Sequence, residues 1–150
     1  MNREIKFRAW DIKNKRMIYE ANDLVGGYLI RIDLDGYVSA TYKQICFDSD
    51  EIILMAFTGL KDKNGKEIYE GDILCYKAEK MTKDGALILG TEGFHPENSV
   101  KVYFEDGIFW GEGKYRRREE VCQLISQYRK FLIFEVIGNI YENPELLKSN

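Results

Sequence analysis

The chain has 150 residues, 45% of them apolar, which suits one compact domain or two small subdomains and excludes wholesale disorder. Its net charge of −3, from 22 cations and 25 carboxylates, argues against a protein dedicated to coating DNA. Ten Tyr and eight Phe, with only two Pro, favour strands over helices.

From the amino end, residues 3–10 (REIKFRAW) alternate with a period of two. Ile5, Phe7 and Ala9 share one face; Glu4, Lys6, Arg8 and Trp10 share the other. That pattern predicts a half-buried strand. Residues 11–16 read as a turn with Asn14 near its tip, and Met17, Ile18 and Tyr19 return to make a hairpin. Residues 28–34 alternate again. Asp35-Gly36 then leads into Tyr37, Val38, Ala40 and Tyr42, and predicts a two-residue hairpin in which both turn residues have positive φ. Ile45 and Phe47 extend that sheet up to an acidic break at residues 48–51.

Residues 52–58 predict a buried strand. Asn64-Gly65, between two charged clusters, predicts a tight turn with positive φ at both residues, and Gly71-Asp72 opens the next strand. Residues 78–99 carry Gly85, Gly90, Gly93 and Pro96 and read as the loosest, most mobile segment, with a short strand at residues 86–89. Residues 100–104 and 108–110 form strands around a turn at Glu105, Asp106 and Gly107. In residues 116–128, Val121, Leu124, Ile125 and Tyr128 fit helical spacing, and a short helix is expected there. Residues 131–137 (FLIFEVI) are a strand, with a kink or bulge at Gly138 and Asn139. A terminal helical turn follows, capped by Asn143 with Pro144 in its first position. About eight to ten short strands, with turn signals every 8–12 residues or so, give a mainly β fold, a barrel or sandwich. The acidic break marks the internal boundary, dividing residues 1–50 from 51–150.

The motifs of known chemistry fail in turn. A phosphate loop needs Ser or Thr after Gly-Lys, and Gly65-Lys66 is followed by Glu67. A calcium loop centred on Gly36 puts Tyr42 where a bidentate Glu belongs; one centred on Gly65 starts at Leu60. Asp33, Asp35, Asp62 and Asp72 are therefore read as turn and strand-edge acids, with Glu70 and Asp72 in water. Cys46, Cys75 and Cys122 are odd in number and widely spaced, which fits neither a disulfide framework nor a zinc ribbon. His95 is the single histidine, and no nucleophile elbow is present to use it. The expectation is no catalytic residue, no metal, no cofactor and no enzyme. Residues 1–20 show no leader, and the longest apolar run, residues 52–57, falls far short of the roughly 20 residues that cross a bilayer. A soluble cytoplasmic protein without membrane partners is expected.

One patch has the composition of a binding surface. Trp110, Tyr115, Arg116, Arg117 and Arg118 interleave aromatics with cations, as small barrels do to hold single strands of nucleic acid. Glu112, Glu119 and Glu120 dilute that charge.

Three stretches give the chain a family likeness: residues 3–11 with 17–19, residues 57–73 (FTGLKDKNGKEIYEGDI), and residues 135–147 (EVIGNIYENPELL). In these the chain resembles the YopX family of small phage and prophage proteins. The resemblance implies an N-terminal strand subdomain joined to a small SH3-like barrel, a phage or prophage origin, and a place in the cytoplasm of the bacterial host. It implies that the stretch from Thr58 to Gly65 is a tight connection into the barrel. It brings no catalytic residues. Two function classes follow. The first is a non-catalytic protein-binding or adaptor module, whose partner is a host protein, a phage protein or a second copy of the chain. The alternative is a nucleic-acid-associated phage factor using the patch at Trp110 and Tyr115 to Arg118.

Overall fold

A computed structural model describes residues 4–19, 29–32, 38–42, 45–47, 50–77, 80–81, 87–88, 99–113, 118–122 and 133–147. The fold is mostly β, in two compact units, Met1–Gly59 and Leu60–Asn150. The division lies later than the acidic break at residues 48–51, because the strand that follows the break pairs back onto the first strand of the chain.

The first unit holds β1 (Phe7–Asp11), β2 (Arg16–Tyr19), β3 (Leu29–Ile32), β4 (Val38–Tyr42), β5 (Ile45–Phe47) and most of β6 (Ile52–Lys61), which runs on into the second unit. β1 lies between β2 and β6, antiparallel to both, with Ala9 opposite Ile18 and Leu54. Ala9, Ile18, Met55 and Phe57 are buried. The strand expected to be half-buried is covered on both faces: Arg8, Trp10 and Asp11 are buried as well as Ala9. Alternation suggested a wet face because it counts the charged Glu4, Lys6 and Arg8 as solvated, and it left Asp11 to the turn that follows. The Asp11 carboxylate instead takes the Asn14 backbone N–H at 2.9 Å, the Asn14 amide at 2.8 Å and the Arg16 guanidinium at 3.1 Å. A buried carboxylate satisfied in this way is tolerated. Burial pushes the Asp11 carboxyl up, but the bonds from Asn14 and Arg16 outweigh it and hold it below its ordinary 3.8.

β3, β4 and β5 form a separate antiparallel meander. Its register pairs Ile32 with Val38. A two-residue Asp35-Gly36 turn would pair Leu34 with Tyr37, one residue out of the register at Ile32 and Val38. Residues 33–37 themselves lie outside the described residues.

In the second unit follow β7 (Glu67–Tyr69), β8 (Asp72–Lys77), β9 (Lys80–Met81), β10 (Leu87–Ile88), β11 (Ser99–Glu105), β12 (Ile108–Gly113), β13 (Glu119–Glu120), β14 (Ile133–Asn139) and a 3-10 turn at Pro144–Leu147. One antiparallel sheet runs β13-β12-β11-β8-β14 and curls into a half-barrel; β9 and β10 pair separately. Leu74 on β8, between β11 and β14, lies opposite Val100 on one side and Val136 on the other. With Ile68, Val102, Val121 and Phe134 these residues make one buried cluster. Each buried aliphatic or aromatic side chain contributes about 1.5–3 kcal/mol relative to exposure, so this cluster is the main stabilising element of the unit.

The turns decide the register. Asp106 (φ 53°) and Gly107 (φ 79°) form a two-residue turn that pairs Glu105 with Ile108. At the other Asn-Gly signal only Gly65 has positive φ, at 81°; Asn64 does not. The Asp62 N–H reaches the Lys66 carbonyl at 2.8 Å and the Gly65 N–H reaches the Asp62 carbonyl at 3.0 Å, a three-residue loop with Gly65 in the left-handed position. The stretch from Thr58 to Lys61 is part of β6 rather than a tight connection. Within residues 116–128, β13 is followed by helical backbone at Val121 and Cys122; residues 123–132 lie outside the described residues. Of the segment expected to be loose, only β9, β10 and Ser99 are described. The bulge expected at Gly138 and Asn139 lies just before them: β14 shifts register between Val136 and Gly138, leaving Ile137 as the extra residue, while Gly138 and Asn139 are paired.

Candidate functional site

The β11–β12 hairpin presents an aromatic and charged face. Counting back from its two-residue turn, Tyr103 stands opposite Trp110 and Lys101 opposite Glu112. Paired residues project to the same side of a sheet, so these four share the face. β13 adds Glu120 opposite Trp110. Arg118, just before β13, lays its guanidinium 4.0 Å from the Trp110 ring centre and 5.7 Å from that of Tyr103. It also pairs with the carboxylate of Glu105. The Trp110 indole N–H donates to the Glu105 carbonyl at 3.1 Å. Lys101 meets Glu112 at 3.2 Å and stands 5.5 Å over Tyr103. At the tip, Phe104 and Ile108 are exposed, and Phe104 and Phe109 have ring centres 4.9 Å apart.

Of the five residues singled out from sequence, the structure brings Trp110 and Arg118 together. Tyr115, Arg116 and Arg117 lie outside the described residues. Composition alone missed Tyr103, Lys101 and Glu105, which come from the opposite strand. The turn at Asp106 and Gly107 was their available signal, since a two-residue hairpin dictates the cross-strand pairs. Among the described residues, the hairpin face and tip carry two cations, Lys101 and Arg118, against four carboxylates, Glu105, Asp106, Glu112 and Glu120.

A second cluster joins two of the stretches that carried the family likeness. The Asp62 carboxylate accepts the backbone N–H groups of Asn64 at 2.8 Å, Lys66 at 2.9 Å and Val136 at 3.1 Å. The Lys63 N–H donates to the Phe134 carbonyl at 3.2 Å. Residues 62–63 thus act as a short surrogate strand along the outer edge of β14, which would otherwise offer unpaired backbone groups. Lys63 meets the Glu135 carboxylate at 2.8 Å, and the Asn64 amide donates to it at 3.3 Å. The Lys63 bond, ahead of an opposing desolvation, holds Glu135 below its ordinary 4.5.

Farther along, Gly71 donates to Val102 and accepts from Ile140, both at 2.8 Å. Asn139 takes the backbone N–H groups of Tyr141 and Glu142 on its side-chain oxygen. Asp62, read as a turn acid, and Asp72, read as lying in water, are both buried; Asp72 accepts the Tyr69 N–H at 2.8 Å. Their carboxylates complete backbone hydrogen bonding that a turn or strand start leaves open, which offsets the cost of taking them out of water. Cys75 is buried and Cys122 exposed, neither in a disulfide. Among the described residues, no group of three or more His, Cys, Asp or Glu is placed to hold a metal ion, and no helix is long and apolar enough to cross a membrane.

The model of a known family, described as YopX protein, matches residues 6–148. The chain belongs to the YopX family. Two solved structures are similar along almost the whole chain. Protein EF1440 from Enterococcus faecalis is 30% identical, with a TM-score of 0.59, and the match covers 98% of this chain and 100% of that one. Protein yopX from Bacillus subtilis is 25% identical, with a TM-score of 0.58, over 95% of this chain and 97% of that one. No protein of curated function matches the chain.

Proposed function

We propose that this protein is a non-catalytic protein-binding or adaptor module of phage or prophage origin, acting in the bacterial cytoplasm. It binds through the β11–β12 hairpin of a small barrel of the SH3 kind. The observation that carries this reading is the half-buried face of Tyr103 and Trp110 under Arg118, with Phe104 and Ile108 exposed at the hairpin tip on opposite sides of it. Trp, Tyr, Phe and Arg are the side chains enriched where proteins bind proteins, because they offer large contact area with few rotors to freeze. The guanidinium of Arg118 lies on the Trp110 ring, where a nucleobase would otherwise stack, and Glu105 neutralises it. That favours a protein partner, from host or phage or a second copy of the chain, over the alternative of a nucleic-acid-associated phage factor.

The test is affinity capture from phage-infected bacteria, with and without nuclease, using the wild type and a Phe104→Ala/Trp110→Ala variant. A protein retained after nuclease and lost with the variant supports the adaptor. Capture that disappears on nuclease treatment supports the alternative.

A further inference from the structure

The turn at residues 62–66 carries an Asn-Gly pair whose chemistry proceeds without any partner. Asn64 and Gly65 are both exposed, and a Cβ at Gly65 would meet nothing within 4 Å. An asparagine followed by glycine can react with its own backbone, because glycine leaves the approach to its nitrogen unhindered. Here the reacting groups are engaged. The Gly65 N–H donates to the Asp62 carbonyl at 3.0 Å, the Asn64 N–H to the Asp62 carboxylate at 2.8 Å, and the Asn64 side-chain amide to Glu135 at 3.3 Å.

We propose that Asn64 is a self-modification site, a latched succinimide-forming asparagine whose latch is Asp62 and Glu135. When the turn opens, the Gly65 nitrogen gives its proton to solvent base and attacks the Asn64 side-chain carbonyl carbon. The bond from that carbon to the side-chain nitrogen breaks, and the nitrogen leaves as ammonia. Water then adds to either carbonyl of the five-membered ring and yields aspartate or isoaspartate. The net change is one water consumed and one ammonia released, with no redox step.

The product opposes the latch that restrained it. An aspartate at position 64 sets a carboxylate where an amide donated to Glu135, beside a third carboxylate on Asp62. Isoaspartate also lengthens the backbone by one carbon inside a three-residue loop closed by the bond from the Asp62 N–H to the Lys66 carbonyl. Either product weakens the attachment of this turn to β14, and the loss of ammonia makes the conversion irreversible.

The experiment incubates the full chain at mildly alkaline pH and maps the peptide containing position 64 for aspartate and isoaspartate. Four samples are compared: native wild type, wild type in guanidinium chloride, Glu135→Ala and Glu135→Gln. Circular dichroism verifies that the variants are folded. Conversion is expected to be slow in the native wild type, many-fold faster in denaturant and several-fold faster in Glu135→Ala. Glu135→Gln, which keeps an acceptor oxygen, stays close to wild type. Absence of product at position 64 even in denaturant overturns the site. Equal rates in native and denatured wild type overturn the latch, and this comparison stands even if a variant fails to fold. A folded Glu135→Ala at the wild-type rate removes Glu135 from it.

Discussion

The carboxylate of Asp62 accepts the backbone N–H of Val136 at 3.1 Å, across 74 residues of sequence. The same carboxylate holds the N–H groups of Asn64 and Lys66, so one side chain shapes a hairpin turn and fastens it to the edge of β14. Replacing it leaves three backbone donors without their acceptor, one of them buried. Asp62→Ala should therefore lower the unfolding free energy by about 2–4 kcal/mol, since a buried donor left unsatisfied costs about 1–3 kcal/mol by itself. Asp62→Asn keeps one acceptor oxygen and should cost less. Urea denaturation of both variants is the measurement, and equal losses would contradict the role given to the oxygen that Asn keeps.

Gly65 isolates the conformational part of the same turn. Its φ is 81° and the space around a Cβ is open, so a side chain there is opposed by backbone geometry alone. Gly65→Val should cost roughly 1–2 kcal/mol, and Gly65→Asn distinctly less, because Asn enters the left-handed region more readily. An unchanged denaturant midpoint for the Val variant would refute the turn assignment.

Gly113 answers to the opposite constraint. A Cβ there would lie 2.3 Å from the Ser99 carbonyl oxygen, which is backbone and cannot rotate away. Gly113→Ala must part β11 from β12 at this end, at a cost of about 1–3 kcal/mol. Amide hydrogen exchange should accelerate near Val100, which pairs with Gly113, and stay unchanged at the Glu105 end of the hairpin.

Asp11 sets an acid limit. Its carboxyl is held below 3.8 in the folded chain, so the unfolded state binds the proton more readily. The stabilisation is present in full above the unfolded value and is lost as pH falls through the lower folded one. Stability should drop below about pH 4, and Asp11→Asn should flatten that drop while lowering stability at neutral pH. Denaturation midpoints between acid and neutral pH, compared for the two chains, check this; parallel profiles would count against it.

The arginine run separates the two function classes. Replacing Arg116, Arg117 and Arg118 together should leave binding to single-stranded DNA or RNA as weak as before, measured by fluorescence anisotropy at about 150 mM salt, where screening acts within about 8 Å. Micromolar or tighter binding that the triple variant abolishes, with the salt slope reduced by about one unit per lost phosphate contact, would establish the nucleic-acid alternative.

Much of the fold was legible because strands and their turns are local. Period-two alternation located β1, β3 and β4, and Asp106-Gly107, after the apolar run of β11, announced a hairpin whose register follows from its two-residue length. The glycine inside an apolar strand marked the bulge at the end of β14. The Asn-Gly signal was read too simply: a type I turn followed by one left-handed glycine satisfies the same dipeptide as a mirror-image turn, and only the hydrogen bonds of Asp62 distinguish them.

Residue order by itself determined the β class, the family and the aromatic and cationic character of the surface patch, since each depends on composition or on neighbours a few residues apart. The tertiary structure decided which charges are buried and which surfaces are assembled. Asp11, Asp62 and Asp72 look like solvated turn acids in one dimension. They are buried because backbone donors converge on them, some from the same turn and, for Asp62, one from a strand far along the chain. Arg118 meets Trp110 and Tyr103 for the same reason: their closeness depends on how three strands pair, and pairing between distant segments is a long-range choice that no local pattern encodes.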